Sequence, residues 1–326
     1  MKITILGAGA WGTALARHLH ASAHELTLWD HDTPNLLQLP QSGRNDKYLP
    51  GIDLPKNLQV EPDVNLAWQG SDCVVVAVPS RVMRETTRVL SGFTGTIVTV
   101  TKGIEYDTGL TMSGVLQATA PHARIAALSG PTLAMEVARN VPTAAVVASE
   151  QAEVSQAMQK LFHSPSFRIY TSADILGVEL GGALKNVIAV AAGICDGLGF
   201  GDNSKAALIT RAIVEIRRLG VACGAQAETF AGLGGLGDLV VTCFSKLSRN
   251  RALGEKVGRG EKPSEVLARS VTVAEGYPTA RAAWQLARKH EVSVPIIDEV
   301  YAMLHLDKPA ADAVRDLMGR DSKAEE

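Results

Sequence analysis

Ile3-Thr4-Ile5-Leu6-Gly7-Ala8-Gly9-Ala10-Trp11-Gly12 lies at the head of the chain, and its reading decides the fold. Residues 3–6 are a β-branched and aliphatic run that reads as a strand, and a helical pattern follows as far as Leu19. Between them stands GxGxxG. Gly7 permits the tight turn, Gly9 lets backbone approach a pyrophosphate, and Gly12 allows close packing of helix on strand, while free N–H groups at the helix start attract the anion. The glycines are therefore candidate dinucleotide-binding positions. A second strand, residues 25–29, ends in Asp30-His31-Asp32. Asp30 stands where an acid accepts a ribose 2′-hydroxyl, which favours NAD over its 2′-phosphorylated form; the competing reading is a solvated loop acid.

Outward from this unit, residues 34–62 are polar and proline-rich, and read as a loop with turns at 49–51 and 54–55 and no assignable chemistry. The run CVVVAV, 73–78, reads as a strand buried on both faces, and 96–100 as another. Alternating strands and helices predict a doubly wound parallel sheet of the Rossmann type, with ligands outside its carboxyl edge. Lys102 directly follows the 96–100 strand and should face that crevice, unless it is a surface lysine at a strand end. Strand 124–128 runs into Ser129-Gly130-Pro131-Thr132, a turn bringing backbone and a hydroxyl to the same edge. Thr132 has a plainer alternative as an N-cap. Strands 143–148 and 167–170 complete a first domain, 1–171.

From residue 172 the pattern changes to helices, at 175–193, 204–223, 249–257, 279–289 and 295–304, which predicts an all-α second domain, 172–326, with a polar tail, 320–326, that frays. Lys185 sits inside its first helix, in GGALKN. The residues one turn away, Gly181, Gly182, Ile188 and Ala189, have no side chain that neutralises an ammonium. Either Lys185 reaches solvent or a distant carboxylate, or it is a proton-transfer group. AGLGGLGD, 231–238, is too glycine-rich for a stable helix interior, which suggests close approach of backbone to a neighbour, with Asp238 projected from it. Ser248-Arg249-Asn250-Arg251 opens a helix, where N–H groups, a guanidinium and an amide would hold a phosphate; a capped surface helix is the alternative. A dinucleotide supplies hydride, a lysine in an apolar helix a proton, and an Arg-Asn helix start an anion clamp. Together they describe reduction of a phosphorylated ketone to an alcohol.

Composition narrows the partners. The 326 residues are 46% hydrophobic and 20% charged with a net charge of −2, which argues against a broad electrostatic footprint for nucleic acid or an anionic membrane and favours a small ligand. Cys73, Cys195, Cys223 and Cys243 lie far apart without metal-type spacing, so no metal is expected, and a reducing cytosol fits them. The first residues lack a signal-peptide pattern and no run reads as a membrane span, which places the protein in the cytoplasm.

GAGAWGTALA, the VPS turn at 78–80, TKGIE, SGPT, the run GVELGGALKNVIAVAAGICDGLGFGDNSKAALITR, AGLGGLGDLVVTC, SRNR and EGY, in this order over nearly the whole chain, resemble bacterial NAD(P)-dependent glycerol-3-phosphate dehydrogenase. GGALKN carries the most specific part of the likeness. The resemblance implies NAD(P)H-dependent reduction of dihydroxyacetone phosphate to sn-glycerol 3-phosphate, supplying phospholipid synthesis, and a homodimer. It implies Lys185 as general acid/base, with Lys102, Gly130, Thr132, Asn186, Asp238, Ser248, Arg249 and Asn250 on the substrate. Gly7, Gly9, Ala10, Trp11, Gly12, Asp30, His31, Lys102, Ala134, Arg249, Val273 and Glu275 would serve the cofactor. Ala10 stands where the family often has Ser, and Asp30 where it usually has a small residue. An acid at 30 repels a 2′-phosphate and His31 attracts one, so better use of NAD is expected than in a family member lacking the acid. A related dehydrogenase of 3-hydroxy or sugar acids accounts less well for SRNR and AGLGGLGD. A non-catalytic nucleotide sensor would predict a missing lysine or a broken glycine motif.

Overall fold

The computed structural model describes every residue except Ala23, Ser270, Val271, Thr272, Lys323 and Glu326; the expected fraying of the tail thus falls partly outside the described residues. Two compact units emerge, one of Met1–Glu105 with Leu110–Glu179, the other of Tyr106–Gly109 with Leu180–Glu326. The division falls inside one continuous helix, Ile175–Gly197.

The first unit holds an eight-stranded sheet in the order β3-β2-β1-β4-β5-β6-β7-β8. Its strands are β1 Lys2–Leu6, β2 Glu25–Trp29, β3 Gln59–Val60, β4 Cys73–Val76, β5 Thr96–Thr99, β6 Arg124–Ser129, β7 Thr143–Ala148 and β8 Phe167–Ser172. Pairing is parallel from β3 through β6 and between β7 and β8, whereas β7 runs antiparallel to β6. That one reversal departs from the all-parallel expectation. The order steps outward from β1 in both directions, so the β1 and β4 ends border the switch point where ligands of such sheets bind.

The alternation of side chains explains why the sheet is the central layer. Ile3, Ile5, Cys73, Val75 and Val98 join one buried apolar cluster, and Leu6, Val74, Val76 and Ile97 another. Successive residues of a strand point to opposite faces, so β1, β4 and β5 are apolar on both and need cover on both. The helix Ala10–His20 supplies part of that cover with Leu15, Ala16 and Leu19.

Residues 34–62 do not form the loop expected. They continue a helix, Thr33–Ser42, which buries Leu36 and Leu39, and they contain β3. Asp32 caps this helix by accepting from Asn35 N–H at 3.4 Å, Pro34 sits in the first turn where a missing N–H costs nothing, and Gly43 ends it at φ +64°. Pro40 inside the last turn is what hides the helix from a pattern reading.

The second unit is helical among its described residues. Asp202–Ala222, Asp238–Phe244, Arg249–Gly258, Pro263–Ala268, Gly276–Lys289, Pro295–His305 and Ala310–Met318 follow the long helix. Contrary to the sequence reading, Ile175–Gly197 is long and apolar enough to cross a membrane; it is instead the buried core helix of this unit, 89% of its most apolar window being enclosed by protein. Its packing is set by glycine. A Cβ on Gly193 would meet Arg251 O at 2.0 Å, and one on Gly254 would meet Val190 O at 2.0 Å, so Ile175–Gly197 and Arg249–Gly258 cross backbone to backbone.

Candidate active site

In the first unit the glycine loop has the form its sequence predicts. Gly7 takes φ +113°, and a Cβ there would meet Ala77 C at 2.8 Å. A Cβ on Gly12 would strike Gly7 O at 1.8 Å. Gly9 differs, because a Cβ there would meet nothing within 4 Å. Folding therefore explains Gly7 and Gly12, and the open space over Gly9, at the N-terminus of the helix Ala10–His20, fits a dinucleotide diphosphate. Ala10 and Trp11 form the first turn of this helix.

Side chains hold the peptide of Ala8 in this loop from both ends. Asp30 Oδ2 accepts from Ala8 N–H at 2.6 Å, and Asn45 Nδ2 donates to Ala8 O at 2.8 Å. Asp30 Oδ1 accepts from Asp32 N–H at 2.9 Å and lies 3.0 Å from His31 Nδ1. Asp30 is thus only 6% exposed, whereas the His31 side chain is 82% exposed. The solvated loop acid is ruled out. Asn45, a residue the sequence reading passed over in its unassigned loop, is also buried and donates to Thr13 Oγ1 at 2.8 Å.

At the carboxyl ends of β5 and β6, Lys102 Nζ donates to Gly130 O at 3.0 Å and to Thr132 Oγ1 at 3.4 Å, and Thr132 Oγ1 donates to Gly130 O at 3.1 Å. Lys102, Gly130 and Thr132 therefore form one polar cluster at the predicted edge. Gly130 takes φ +132°, and its missing Cβ would press on Ala145 Cα at 3.0 Å. Thr132 is not the helix cap of its alternative reading: Leu133 holds that position ahead of Ala134–Ala138, which Ala134 opens.

In the second unit, Lys185 lies 6% exposed in the long helix and pairs with Asp238, itself 1% exposed; Lys185 Nζ also donates to Thr242 Oγ1 at 2.6 Å. Thr242 Oγ1 in turn donates to Asp238 O at 2.6 Å. Of the two readings of Lys185, the distant carboxylate is what the structure shows, and Asp238 is that carboxylate. Asp238 reaches it because Leu233–Gly237 winds as a π-helical turn rather than breaking the chain, and leads into Asp238–Phe244. The glycines here approach protein. A Cβ on Gly181 would meet Gly234 O at 2.5 Å, so the glycine run serves to seat Asp238 against the lysine helix. Thr242, one turn beyond Asp238, was missed in the sequence, where a threonine in an apolar helix carries no signal of its own.

Asn186, Ser248, Arg249 and Asn250 collect in the same unit. Ser248 caps Arg249–Gly258 by accepting from Arg251 N–H at 3.2 Å. Asn250 Nδ2 donates to Asn186 Oδ1 at 2.8 Å, and Asn250 Oδ1 accepts from Gly276 N–H at 2.9 Å. Asn250 is thus a brace between helices. Arg249 is exposed, next in chain to both, and Glu275 is the carboxylate acting on it electrostatically. Glu275 stands at the start of Gly276–Lys289, and Val273, partly buried, two residues before it. No group of three or more His, Cys, Asp or Glu able to hold a metal ion occurs among the described residues.

Comparison with known proteins identifies the family of the chain. The family model for the NAD-dependent glycerol-3-phosphate dehydrogenase N-terminus matches residues 2–155, and the model for its C-terminus matches 174–315. A glycerol-3-phosphate dehydrogenase [NAD(P)+] of Geobacter sp. strain M21 is 47% identical over 99% of this chain and 98% of its own length. The crystal structure of glycerol-3-phosphate dehydrogenase from Coxiella burnetii superposes with a TM-score of 0.94 at 36% identity, covering 98% of this chain and 99% of that one. The corresponding Plasmodium falciparum structure, at 21% identity and a TM-score of 0.88 over 99% and 97% of the two chains, shares the fold.

Proposed function

The chain belongs to the NAD-dependent glycerol-3-phosphate dehydrogenase family, and from that premise we propose a division of labour among its residues. The enzyme reduces dihydroxyacetone phosphate to sn-glycerol 3-phosphate, reversibly, and so supplies phospholipid synthesis. NADH or NADPH, when bound, supplies the hydride. Lys185 supplies the proton. Its ammonium donates to the substrate oxygen as the carbonyl carbon becomes an alcohol carbon, and in the reverse direction the neutral amine takes that proton back. Asp238 fixes the ammonium and balances its charge, and Thr242 keeps the two in register.

The other residues bind and orient. Arg249 meets the phosphate, with Ser248 and Asn250 shaping the helix start that presents it; Asn186, braced by Asn250, and Lys102, Gly130 and Thr132 align the rest of the substrate. Gly7, Gly9, Ala10, Trp11, Gly12, Asp30, His31, Lys102, Ala134, Arg249, Val273 and Glu275 serve the cofactor. A homodimer in the cytoplasm completes the reading, with cofactor choice set at the end of β2. The observation that carries it is the buried Lys185–Asp238 pair, because a charged pair enclosed by an apolar helix is costly to keep for structure alone. The test is loss of NADH absorbance with dihydroxyacetone phosphate as sole acceptor; turnover with 3-keto acids but not with this phosphate would overturn the substrate assignment.

A further inference from the structure

Ala8 is the first variable residue of GxGxxG, and its peptide is held from both ends. Its N–H donates to Asp30 Oδ2 at 2.6 Å, and its carbonyl accepts from Asn45 Nδ2 at 2.8 Å and from Thr13 Oγ1 at 3.1 Å. Asn45 Nδ2 also reaches Thr13 Oγ1 at 2.8 Å, and Asn35 Nδ2 donates to Asn45 Oδ1 at 3.2 Å. Asp30, Thr13 and Asn45 are all buried. An ordinary turn has its peptides held by water or by neighbouring backbone. This one is held by three side chains drawn from the end of β2, the first helix and the segment after the helix Thr33–Ser42.

We infer that Asp30 and Asn45 form a clamp that presets the glycine loop for the diphosphate, and that Asp30 is a positioning residue rather than the reader of the ribose 2′-hydroxyl. This rests on the proposed cofactor site. The argument lies in where the carboxylate aims. Oδ2 is directed at Ala8 N–H, and Oδ1 at Asp32 N–H, with His31 Nδ1 3.0 Å from Oδ1, so two backbone donors and an imidazole surround a side chain that is 6% exposed. A preset loop binds a diphosphate without first ordering its own peptides, and both dinucleotides carry the same diphosphate. The clamp therefore strengthens NADH and NADPH alike. A ribose reader would separate them. Discrimination by charge then falls to His31, whose side chain lies 82% in solvent.

Binding of NADH and of NADPH to the full-length protein, measured separately by calorimetry, tests the clamp together with amide hydrogen exchange at Ala8 in the cofactor-free protein. Asp30→Ala should weaken both cofactors by the same factor, about tenfold or more, for loss of a charge-assisted bond, and should speed exchange at Ala8. Asp30→Asn keeps an acceptor oxygen for Ala8 N–H and should recover most of the loss. Asn45→Ala should reproduce the equal weakening, and it decides the matter should Asp30→Ala fail to fold. A selective loss of NADH, a gain for NADPH in Asp30→Asn, or unchanged binding in Asn45→Ala would each overturn the clamp. Failure of the unaltered protein to bind either cofactor would instead overturn the proposed cofactor site.

Discussion

Lys185 and Asp238 bear on both activity and stability. Lys185→Met keeps the length of the stem and removes the proton, so kcat should fall by about 10²- to 10⁴-fold, the usual scale of general acid–base catalysis, with the fold intact by circular dichroism. Near-normal kcat in a folded variant would contradict the assignment. Arg249 offers a second contrast at the same scale. Arg249→Ala should raise KM for dihydroxyacetone phosphate by about tenfold or more while leaving the weak turnover of free dihydroxyacetone nearly unchanged, because a guanidinium meets phosphate through charge-assisted bonds that the free ketone lacks. Equal losses for both would make Arg249 structural. Lys185, Asp238 and Arg249 were visible in the sequence because each is a charge in an unusual setting: an apolar helix, a glycine run, a helix start. The partnership of Lys185 with Asp238 was not visible, since 53 residues separate them and only the fold joins them. Asn45 was invisible for a related reason. An asparagine among Pro, Gly and Asp reads as a turn residue, and only burial reveals its role.

Elements show the same division between what pattern reveals and what packing decides. The strands of β1, β2 and β4 to β8 were legible because they are apolar or alternating runs bounded by turns, whereas two-residue β3 has no pattern to read. The helix Thr33–Ser42 was lost because prolines outweighed its cap and its two buried leucines. Glycines in Ile175–Gly197 and Arg249–Gly258 look like helix weaknesses in sequence, yet they are the crossing itself. Gly254→Ala places a methyl against Val190 O and should cost about 1–3 kcal/mol in denaturant titration, as overpacking does. Glu215 gives a further test at this scale. Buried on Asp202–Ala222, it accepts from Ile296 N–H at 2.9 Å and from Ile297 N–H at 3.3 Å, capping the start of Pro295–His305. Burial pushes its carboxyl up to about 7, against the pull of those two N–H groups. The folded state therefore holds a proton that the unfolded chain releases near 4.5, and stability should decline as pH rises from about 4.5 to about 7, by about 3 kcal/mol at most. Glu215→Gln should flatten that slope, and an unchanged slope would mean that other groups produce it.

For the whole molecule, order along the chain was more legible than division into units. Strands come first and helices after, as the sequence predicts, but Tyr106–Gly109 belongs to the second compact unit, and the boundary cuts Ile175–Gly197 between Glu179 and Leu180. A short segment displaced from its neighbours in sequence leaves no compositional trace, and a continuous helix hides a boundary within its period. The shared helix has a thermodynamic consequence. Its fifth residue is Glu179, whose oxygens accept from Ser113 N–H at 2.8 Å and Ser113 Oγ at 2.5 Å within the first unit, while its later turns carry Lys185 and cross Arg249–Gly258 in the second. Melting either unit alone would have to break one continuous helix between Glu179 and Leu180, cutting short a run of hydrogen bonds that form cooperatively. Scanning calorimetry should therefore give one transition. NADH at a hundred times its Kd contributes about 2.7 kcal/mol to the folded state, and for 326 residues should move that single transition up by about 4 °C. Two transitions, of which NADH moves only one, would mean that the units melt independently and that the helix does not couple them.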